Sequence, residues 1–322
     1  SLILNLGLVA VIVAGAFLSA EAGDITGFLT YFIIVLNAML GISRIFVILS
    51  RGAASAERIE KVLALDEREK SEEHLAGDPA FAVEFKDVSF SYGGDKEHLT
   101  GISFALNKGA SLGIIGPTGC GKSTVVNLLL RLYDVSAGAV YVDGQDVRSL
   151  PSEKLRKKFG VVFQNGYLMA ASIRENIDYG RDLPEEAIIR AARCAQAEEF
   201  IKELPEGYGH DLAQKAGDLS GGQKQRLLIA RALAASPEIV VLDDSSSALD
   251  YATDAALRRA LQREYAGTTR IVVAQRVSSV KNCDLILVLE NGSVTGAGTH
   301  EDLMKSCPEY RAIAETQMGE AV

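Results

Sequence analysis

Two long apolar runs occupy the start of the chain. Residues 2–18 are apolar or glycine apart from Asn5, and a second run covers residues 28–49. Each run is about long enough to cross a bilayer as a helix, the first only if its helix begins before Ser1. A short acidic stretch, residues 19–27, separates them. The pattern therefore predicts two transmembrane α-helices joined by a short loop.

Basic residues follow these runs rather than precede them. No lysine or arginine occurs before Arg44, and Arg51, Arg58 and Lys61 come soon after it. The positive-inside rule places the loop outside and the segment after the second run in the cytoplasm, which predicts a multi-pass protein of the cell membrane with the lipid bilayer as a partner. Two alternatives stay open: a secretory signal with a cleavage site near Ala22, and a pair of buried core helices.

The pattern changes twice beyond the apolar runs. It is amphipathic through Leu65, as in a helix that leaves the membrane and continues into the cytoplasm. It then becomes charged and poor in apolar residues, which predicts a linker. We therefore expect residues 1–65 to be the C-terminal part of a membrane domain, residues 66–80 a linker, and residues 81–322 a globular domain.

The globular part alternates short apolar runs with segments of helix length. Such alternation is typical of an α/β fold with a mostly parallel sheet, and the polar–apolar alternation at 83–90 indicates an antiparallel portion near its start. The predicted strands are 83–90, 102–106, 110–115, 138–144, 159–163, 239–242, 270–273 and 285–289. The predicted helices are 125–133 and 224–235, and residues 184–204 are mostly helical by composition.

Composition narrows the possible partners. The 322 residues carry a net charge of -9, which argues against nucleic acid as a partner. Four scattered cysteines without a C-x-x-C pair indicate neither a zinc site nor a disulfide framework, and suit a reducing cytoplasm. The chain begins in apolar sequence without a methionine, so we expect it to be the C-terminal piece of a longer protein.

The pattern G-x-x-x-x-G-K-[ST] occurs at residues 116–123, between a predicted strand and a predicted helix. A glycine loop that leads into a helix binds anions, because its amides point inward and the helix dipole adds positive potential. Lys122 supplies a full charge, and Ser123 offers its hydroxyl to the magnesium ion that accompanies a nucleoside triphosphate. The predicted nucleotide contacts are Gly116, Thr118, Gly119, Cys120, Gly121, Lys122, Ser123 and Thr124.

Two further segments carry chemistry that fits a nucleotide site. The apolar strand 239–242 ends in Asp243, and an acid at this place beside a phosphate loop holds magnesium directly or through water. A second possible anion site precedes the helix 224–235, and consists of Ser220, Gly221, Gly222 and Gln223. Each segment taken alone is also compatible with an ordinary helix cap.

With these motifs in this order, residues 81–316 resemble the ATPase domains of ABC transporters. Residues 116–124 match their Walker A loop, 239–243 their Walker B strand and 220–223 their signature motif. The resemblance implies a phosphate-loop ABC ATPase domain, with a mixed sheet and a helical subdomain, that uses ATP and Mg²⁺. Two membrane helices followed by such a domain resemble the end of an exporter half-subunit that moves a transported substrate outward.

The resemblance also implies roles for residues outside these motifs. Tyr92 corresponds to the aromatic residue that stacks on adenine, with an ordinary edge-strand tyrosine as the alternative. Gln164 corresponds to the Q-loop glutamine, a magnesium ligand with a part in catalysis, and Asp250 lies in the D-loop. Two ATPase domains of this family face each other head to tail, so the signature would contact ATP bound by a partner.

Two positions depart from the family pattern. Asp244 stands where the family has the glutamate that polarises the attacking water, and Gln275 stands where it has a histidine that contacts the γ-phosphate. The aspartate is one methylene shorter, and glutamine cannot carry a positive charge. We therefore expect this chain's own site to bind ATP and hydrolyse it poorly.

An intact signature beside an impaired site predicts a heterodimer with a second ABC half-transporter. The partner would supply a competent site that Ser220 to Gln223 of this chain complete. The alternatives are a homodimeric exporter with slow ATPase activity, a soluble ABC ATPase outside transport, and a regulatory ATP sensor. The pattern leaves drug, lipid and peptide cargoes open.

Overall fold

In the computed structural model, the described residues are 2–18, 21–64, 76–93, 96–245 and 247–319. The chain divides into two units, Ser1–Arg68 and Glu69–Val322. The predicted linker, residues 66–80, lies largely outside the described residues.

The first unit contains two helices. Helix α1 covers Leu2–Phe17 and helix α2 covers Ala22–Leu63, which is 42 residues. Among the described residues, α2 alone is long and apolar enough to cross a membrane, judged by length and composition, and α1 is a shorter apolar helix. The prediction of a helix that continues past residue 49 is confirmed, because α2 runs on without a break.

The predicted loop at residues 19–27 is wrong for most of its length, since α2 already begins at Ala22. The acidic residues mark a helix start: Glu21 is the N-cap residue and Asp24 lies in the first turn, where a negative charge favours the helix dipole. Within α2, the hydroxyl of Thr30 donates to the carbonyl oxygen of Thr26 at 2.8 Å. Such internal pairing lets a polar side chain lie on a helix in apolar surroundings.

The second unit contains ten strands and ten α-helices among its described residues. The strands are β1 Phe81–Phe90, β2 Leu99–Asn107, β3 Ser111–Ile115, β4 Ala137–Val142, β5 Gln145–Asp146, β6 Phe159–Val162, β7 Ile239–Asp243, β8 Thr269–Ala274, β9 Leu285–Glu290 and β10 Ser293–Gly298. The helices are α3 Lys122–Leu129, α4 Ser152–Lys157, α5 Ile173–Asp178, α6 Glu185–Cys194, α7 Glu198–Glu203, α8 Gly221–Ala234, α9 Tyr251–Glu264, α10 Val277–Val280, α11 His300–Ser306 and α12 Pro308–Gly319.

These strands form two sheets. A four-stranded antiparallel sheet has the order β2-β1-β4-β5, and a six-stranded sheet has the order β10-β9-β3-β8-β7-β6. The six-stranded sheet is parallel except for β10. The predicted mixed architecture is confirmed, including its antiparallel portion near the start. Helix α3 lies between the sheets, where Val125 and Leu128 share a core with Phe85 and Ile114.

Helices α5 to α8 form a second core with strands β6 and β7. Ile173, Ala191, Ile201 and Leu227 are fully buried in it. The prediction that residues 184–204 are mostly helical is confirmed, and this helical stretch divides into α6 and α7. Gln196, between them, has φ 58°, a left-handed conformation that no helix continues through.

A third core joins the C-terminal helices to the six-stranded sheet. Tyr310 and Ala314 of α12 are buried with Ile115 of β3, and with Ala274 and Val277 beside the end of β8. This packing places α12 next to the segment that leaves β8 toward the predicted site.

Candidate functional site

The phosphate loop, residues 116–121, connects β3 to α3. Strand β3 is buried along its whole length, and α3 begins at Lys122. Gly121 has φ 106°, and a Cβ atom there would lie 2.6 Å from Leu99 Cδ2. Both the backbone conformation and the close neighbour therefore require glycine. The loop presents the unpaired N–H groups of the first turn of α3 at the edge of the sheet.

Lys122 folds back over this loop. Its Nζ atom donates to the carbonyl oxygens of Gly116, at 2.8 Å, and Pro117, at 2.7 Å. Both acceptors are neutral, so they hold the ammonium group in place without cancelling its charge. A full positive charge at a helix N-terminus is suited to binding an anion.

Asp243 ends strand β7 and is only 4% exposed. Burial raises the pKa of its carboxyl group, and the charge of Asp244 adds to this rise, while a hydrogen bond from Ser123 and the charge of Lys122 oppose it. A carboxylate beside a hydroxyl provides hard oxygen ligands of the kind that Mg²⁺ prefers.

One carboxylate oxygen of Asp244 accepts hydrogen bonds from two side-chain amides. Its Oδ2 atom accepts from Gln275 Nε2 at 3.1 Å and from Gln164 Nε2 at 3.4 Å. Its own backbone has φ 50°, and its N–H donates to the carbonyl oxygen of Val273 at 2.9 Å. The strand ends of β6, β7 and β8 thus bring together the three residues to which sequence analysis assigned catalysis.

These elements enclose a cleft of about 300 Å³. The predicted nucleotide contacts, magnesium ligands and catalytic residues that line it are Thr118, Gly119, Gly121, Lys122, Ser123, Thr124, Gln164, Asp243, Asp244 and Gln275. Two residues of the phosphate loop itself face away from the cleft: Cys120 is buried, and a Cβ atom on Gly116 would overlap the carbonyl oxygen of Leu289.

Five further residues of the lining have no motif in the sequence that predicts them. These are Lys96, Glu97, His98, Asn291 and Gly292, which come from the β1–β2 and β9–β10 connections. The two connections lie far apart in the sequence and neither carries a motif.

Tyr92 lies beside the cleft rather than among its lining residues. Its hydroxyl donates to Thr124 Oγ1 at 3.2 Å and accepts from Asn127 Nδ2 at 3.2 Å. Its ring makes edge contacts with His98 and Tyr133. Thr124 links Tyr92 to the nucleotide loop, and Tyr92 is 44% exposed.

The predicted signature forms the start of α8 and does not line this cleft. Ser220 caps the helix: its Oγ accepts from Gln223 N at 3.2 Å, and Gln223 Oε1 accepts from Ser220 N at 2.8 Å. Ser220 and Gly221 are exposed. Asp250 caps the next helix, α9, and hydrogen bonds from Thr253 lower the pKa of its carboxyl group. The signature is thus an exposed helix N-terminus.

Residues 99–247 match the family model for ABC transporters. The globular unit is an ABC transporter ATP-binding domain. The matched stretch contains the phosphate loop, the signature and strand β7. The predicted ABC ATPase fold is confirmed.

Comparisons extend the similarity beyond the ATP-binding domain. The chain is 36% identical to the uncharacterized ABC transporter ATP-binding protein YfiB of Bacillus subtilis, over 99% of this chain and 56% of that protein. It is 37% identical to an ATP-dependent lipid A-core flippase of Desulfotalea psychrophila, over 93% of this chain and 53% of the flippase.

A solved structure is similar over nearly the whole chain. It is that of a bacterial Atm1-family ABC exporter with ATP bound, which aligns at a TM-score of 0.76 and 29% identity over 97% of this chain and 56% of that one. The chain therefore spans about half the length of the curated relatives it matches.

One residue that contacts a predicted catalytic residue belongs to no sequence motif. Gln317 of α12 donates through Nε2 to the carbonyl oxygen of Gln275 at 2.8 Å. Its Oε1 atom accepts from Val277 N, also at 2.8 Å. The pairing spans 42 positions and involves a helix that the sequence analysis did not predict.

Proposed function

We propose that this chain is the ATP-binding half-subunit of a heterodimeric ABC exporter. The nucleotide site at its own phosphate loop binds ATP and Mg²⁺ but hydrolyses ATP slowly. Its signature completes the active site of a second ABC half-transporter. The similarity to an ABC exporter and to a lipid A-core flippase supports export across a membrane as the activity.

The cleft is suited to a triphosphate. Lys122 and the first turn of α3 supply positive potential at the phosphate loop. Tyr92, positioned by its hydrogen bond to Thr124, offers an exposed ring to adenine.

The same cleft fits magnesium that arrives with the nucleotide. The described residues hold no cluster of three or more His, Cys, Asp or Glu side chains that could bind a metal by themselves. Mg²⁺ in nucleotide sites needs few protein ligands, because phosphate oxygens and water complete its shell. Ser123 and Asp243 would hold it, with Gln164 beside them. When bound, it neutralises charge on the phosphates.

The observation that carries the proposal is the pair of amides on Asp244 Oδ2. Water activation requires a carboxylate that reaches the water beside the γ-phosphate, and Asp244 is one methylene shorter than the residue this task normally uses. Gln275 contributes a neutral amide that cannot supply positive charge to the departing phosphate. Both features reduce cleavage while leaving the ATP contacts in place.

The exposed start of α8 supports a partner. Ser220 and Gly221 lie on the surface with the positive end of a 14-residue helix behind them, a suitable site for the phosphates of another subunit's ATP. Helices α1 and α2 would lie in the lipid bilayer as part of a multi-pass membrane domain, with the ATP-binding domain in the cytoplasm.

The fate of bound nucleotide tests this function. The purified chain is incubated with Mg²⁺ and ATP, free nucleotide is removed, and the retained ATP and ADP are quantified. We expect ATP to persist, with turnover at least about 100-fold below the ~10 s⁻¹ of a typical enzyme. Turnover near that typical value would contradict an impaired site and favour a self-sufficient homodimer.

A further inference from the structure

Gln317 holds the main chain on both sides of Arg276. Its Nε2 donates to the carbonyl oxygen of Gln275, and its Oε1 accepts from the N–H of Val277, each at 2.8 Å. One planar amide therefore satisfies a donor and an acceptor of the segment that carries Gln275. We call this pair of hydrogen bonds the Gln317 clasp.

The clasp replaces a missing helix cap. Helix α10 begins at Val277, whose N–H has no partner within that helix. Within the described residues, the side chain of Arg276 does not cap α10. Gln317 supplies the acceptor from another helix, so the start of α10 depends on the position of α12.

The position of Gln317 is itself fixed by burial. Tyr310 and Ala314 lie on the same face of α12 and are fully buried. The Tyr310 hydroxyl also lies 2.8 Å from His300 Nδ1 on α11. The buried face of α12 therefore sets where the Gln317 amide lies.

We infer that Gln317 is a positioning residue for the nucleotide site. By fixing the carbonyl of Gln275, it orients the Gln275 side chain toward Asp244 Oδ2, at the place where the γ-phosphate of ATP would bind. The inference rests on the proposed function of the cleft, and it adds that the C-terminal helix sets the contact that distinguishes ATP from ADP.

The experiment compares nucleotide affinity in the full chain. Gln317→Ala removes both hydrogen bonds, and we expect about a fivefold loss of ATP affinity with ADP affinity unchanged. Gln317→Glu preserves the shape of the side chain and its acceptor but removes the donor to Gln275. We expect the same ATP-selective loss from it, so it replaces Gln317→Ala as the test variant if Gln317→Ala does not fold. Thr316→Ala is the matched control, because among the described residues its exposed hydroxyl donates only to the carbonyl oxygen of Ala312 on its own helix.

A double-mutant cycle separates positioning from general stability. In a Gln275→Ala background, Gln317→Ala should cause no further loss of ATP affinity, since the group it positions is gone. Amide hydrogen exchange at Val277 should accelerate roughly tenfold in nucleotide-free Gln317→Ala protein. The exchange measurement does not depend on any nucleotide function.

Each outcome decides between two ideas. Three results would overturn the inference about Gln317 while leaving the proposed function intact. They are additive losses of ATP affinity in the double-mutant cycle, equal losses of ATP and ADP affinity, and unchanged ATP affinity with accelerated exchange of the Val277 amide. Wild-type protein that binds ATP no better than a Lys122→Ala variant would contradict the proposed function, and the inference with it.

Discussion

Gln275 donates its side-chain amide to the Asp244 carboxylate across 3.1 Å, joining the ends of two adjacent parallel strands, β8 and β7. Gln164, two residues after the end of β6, donates a second amide hydrogen bond to the same oxygen. The carboxylate is thus held by neutral donors inside the cleft. We interpret this arrangement as a site that keeps its nucleotide contacts and lacks the groups needed for fast cleavage.

The first prediction concerns Asp244 itself. In a competent site, a general base contributes about 10²–10⁴-fold to the rate. Here we expect Asp244→Asn to lower single-turnover ATP cleavage by no more than ~3-fold, because the carboxylate contributes little water activation. ATP affinity should stay unchanged. A hundredfold loss of cleavage would mean that Asp244 is an effective base.

Lys122 provides the second prediction. Its ammonium group is held over the phosphate loop by two carbonyls, ready to meet the phosphates. Lys122→Ala should weaken ATP binding by roughly 10–100-fold, the effect of losing a hydrogen bond between charged groups. Equilibrium binding of a fluorescent ATP analogue measures this.

Lys108→Ala is the matched control for that measurement. Lys108 pairs with Asp143 at 3.0 Å and does not line the cleft. Its loss should leave ATP affinity unchanged. Equal effects of the two substitutions would show that net charge, rather than the loop geometry, governs binding.

The sequence predicted the parts of the site that follow strands. The runs at 110–115, 239–242 and 270–273 are mostly apolar because strands inside a parallel sheet are covered on both faces, and the residues with predicted chemical roles come directly after them. The sequence therefore predicts that Asp243 lies beside the phosphate loop, and the family resemblance implies that Asp244 and Gln275 lie near the same γ-phosphate.

Other parts had no local pattern to reveal them. Strand β10 contains two glycines and is only half-buried, so its apolar signal is weak. The start of α2 was hidden because its acidic first turn resembles a loop. Gln317 contacts Gln275 only through tertiary packing of α12, which no short-range periodicity can predict.

The third prediction compares two serines that each form a capping box at the start of a helix. Ser220 caps α8 and Ser172 caps α5 with the same pattern of hydrogen bonds. Replacing either serine by alanine should lower the free energy of unfolding by about 1 kcal/mol, measured by chemical denaturation. Only Ser220→Ala should impair the site of a facing subunit.

The test of that difference uses copies in which Asp244→Glu and Gln275→His are combined, so that each facing site can turn over. In this background we expect Ser220→Ala to reduce ATPase activity at least about tenfold, because a donor aimed at transition-state charge is lost. Ser172→Ala should change it less than twofold. Similar losses of ATPase activity in both variants would show that Ser220 only caps its helix and does not act on the facing site.

A fourth prediction follows from the Glu198 ion pairs. Hydrogen bonds from Arg193, at 2.9 Å, and from Lys202 lower the pKa of Glu198 from 4.5 to about 2. A carboxylate whose pKa is depressed by folding stabilises the protein above its unfolded pKa, and this stabilisation is lost as the pH falls through the folded value. Glu198→Gln should therefore cost about 1 kcal/mol at pH 7, after allowance for solvent screening.

That cost should stay constant above about pH 5 and shrink as the pH falls from 4.5 toward 2. Denaturation curves of wild type and variant across this range measure it. Glu203→Gln on the same helix is the control, since Glu203 forms no ion pair within the described residues. A cost that grows at low pH would show that the sign of the coupling is wrong.

The most direct test of the central claim is the single-turnover rate of ATP cleavage in the Asp244→Glu/Gln275→His variant, compared with the wild-type chain under the same conditions. We expect at least a ~100-fold increase, because a longer carboxylate reaches the water and a histidine can carry positive charge to the phosphate. ATP affinity should be equal in the two proteins. Equal cleavage rates would contradict the claim that these two residues impair the site.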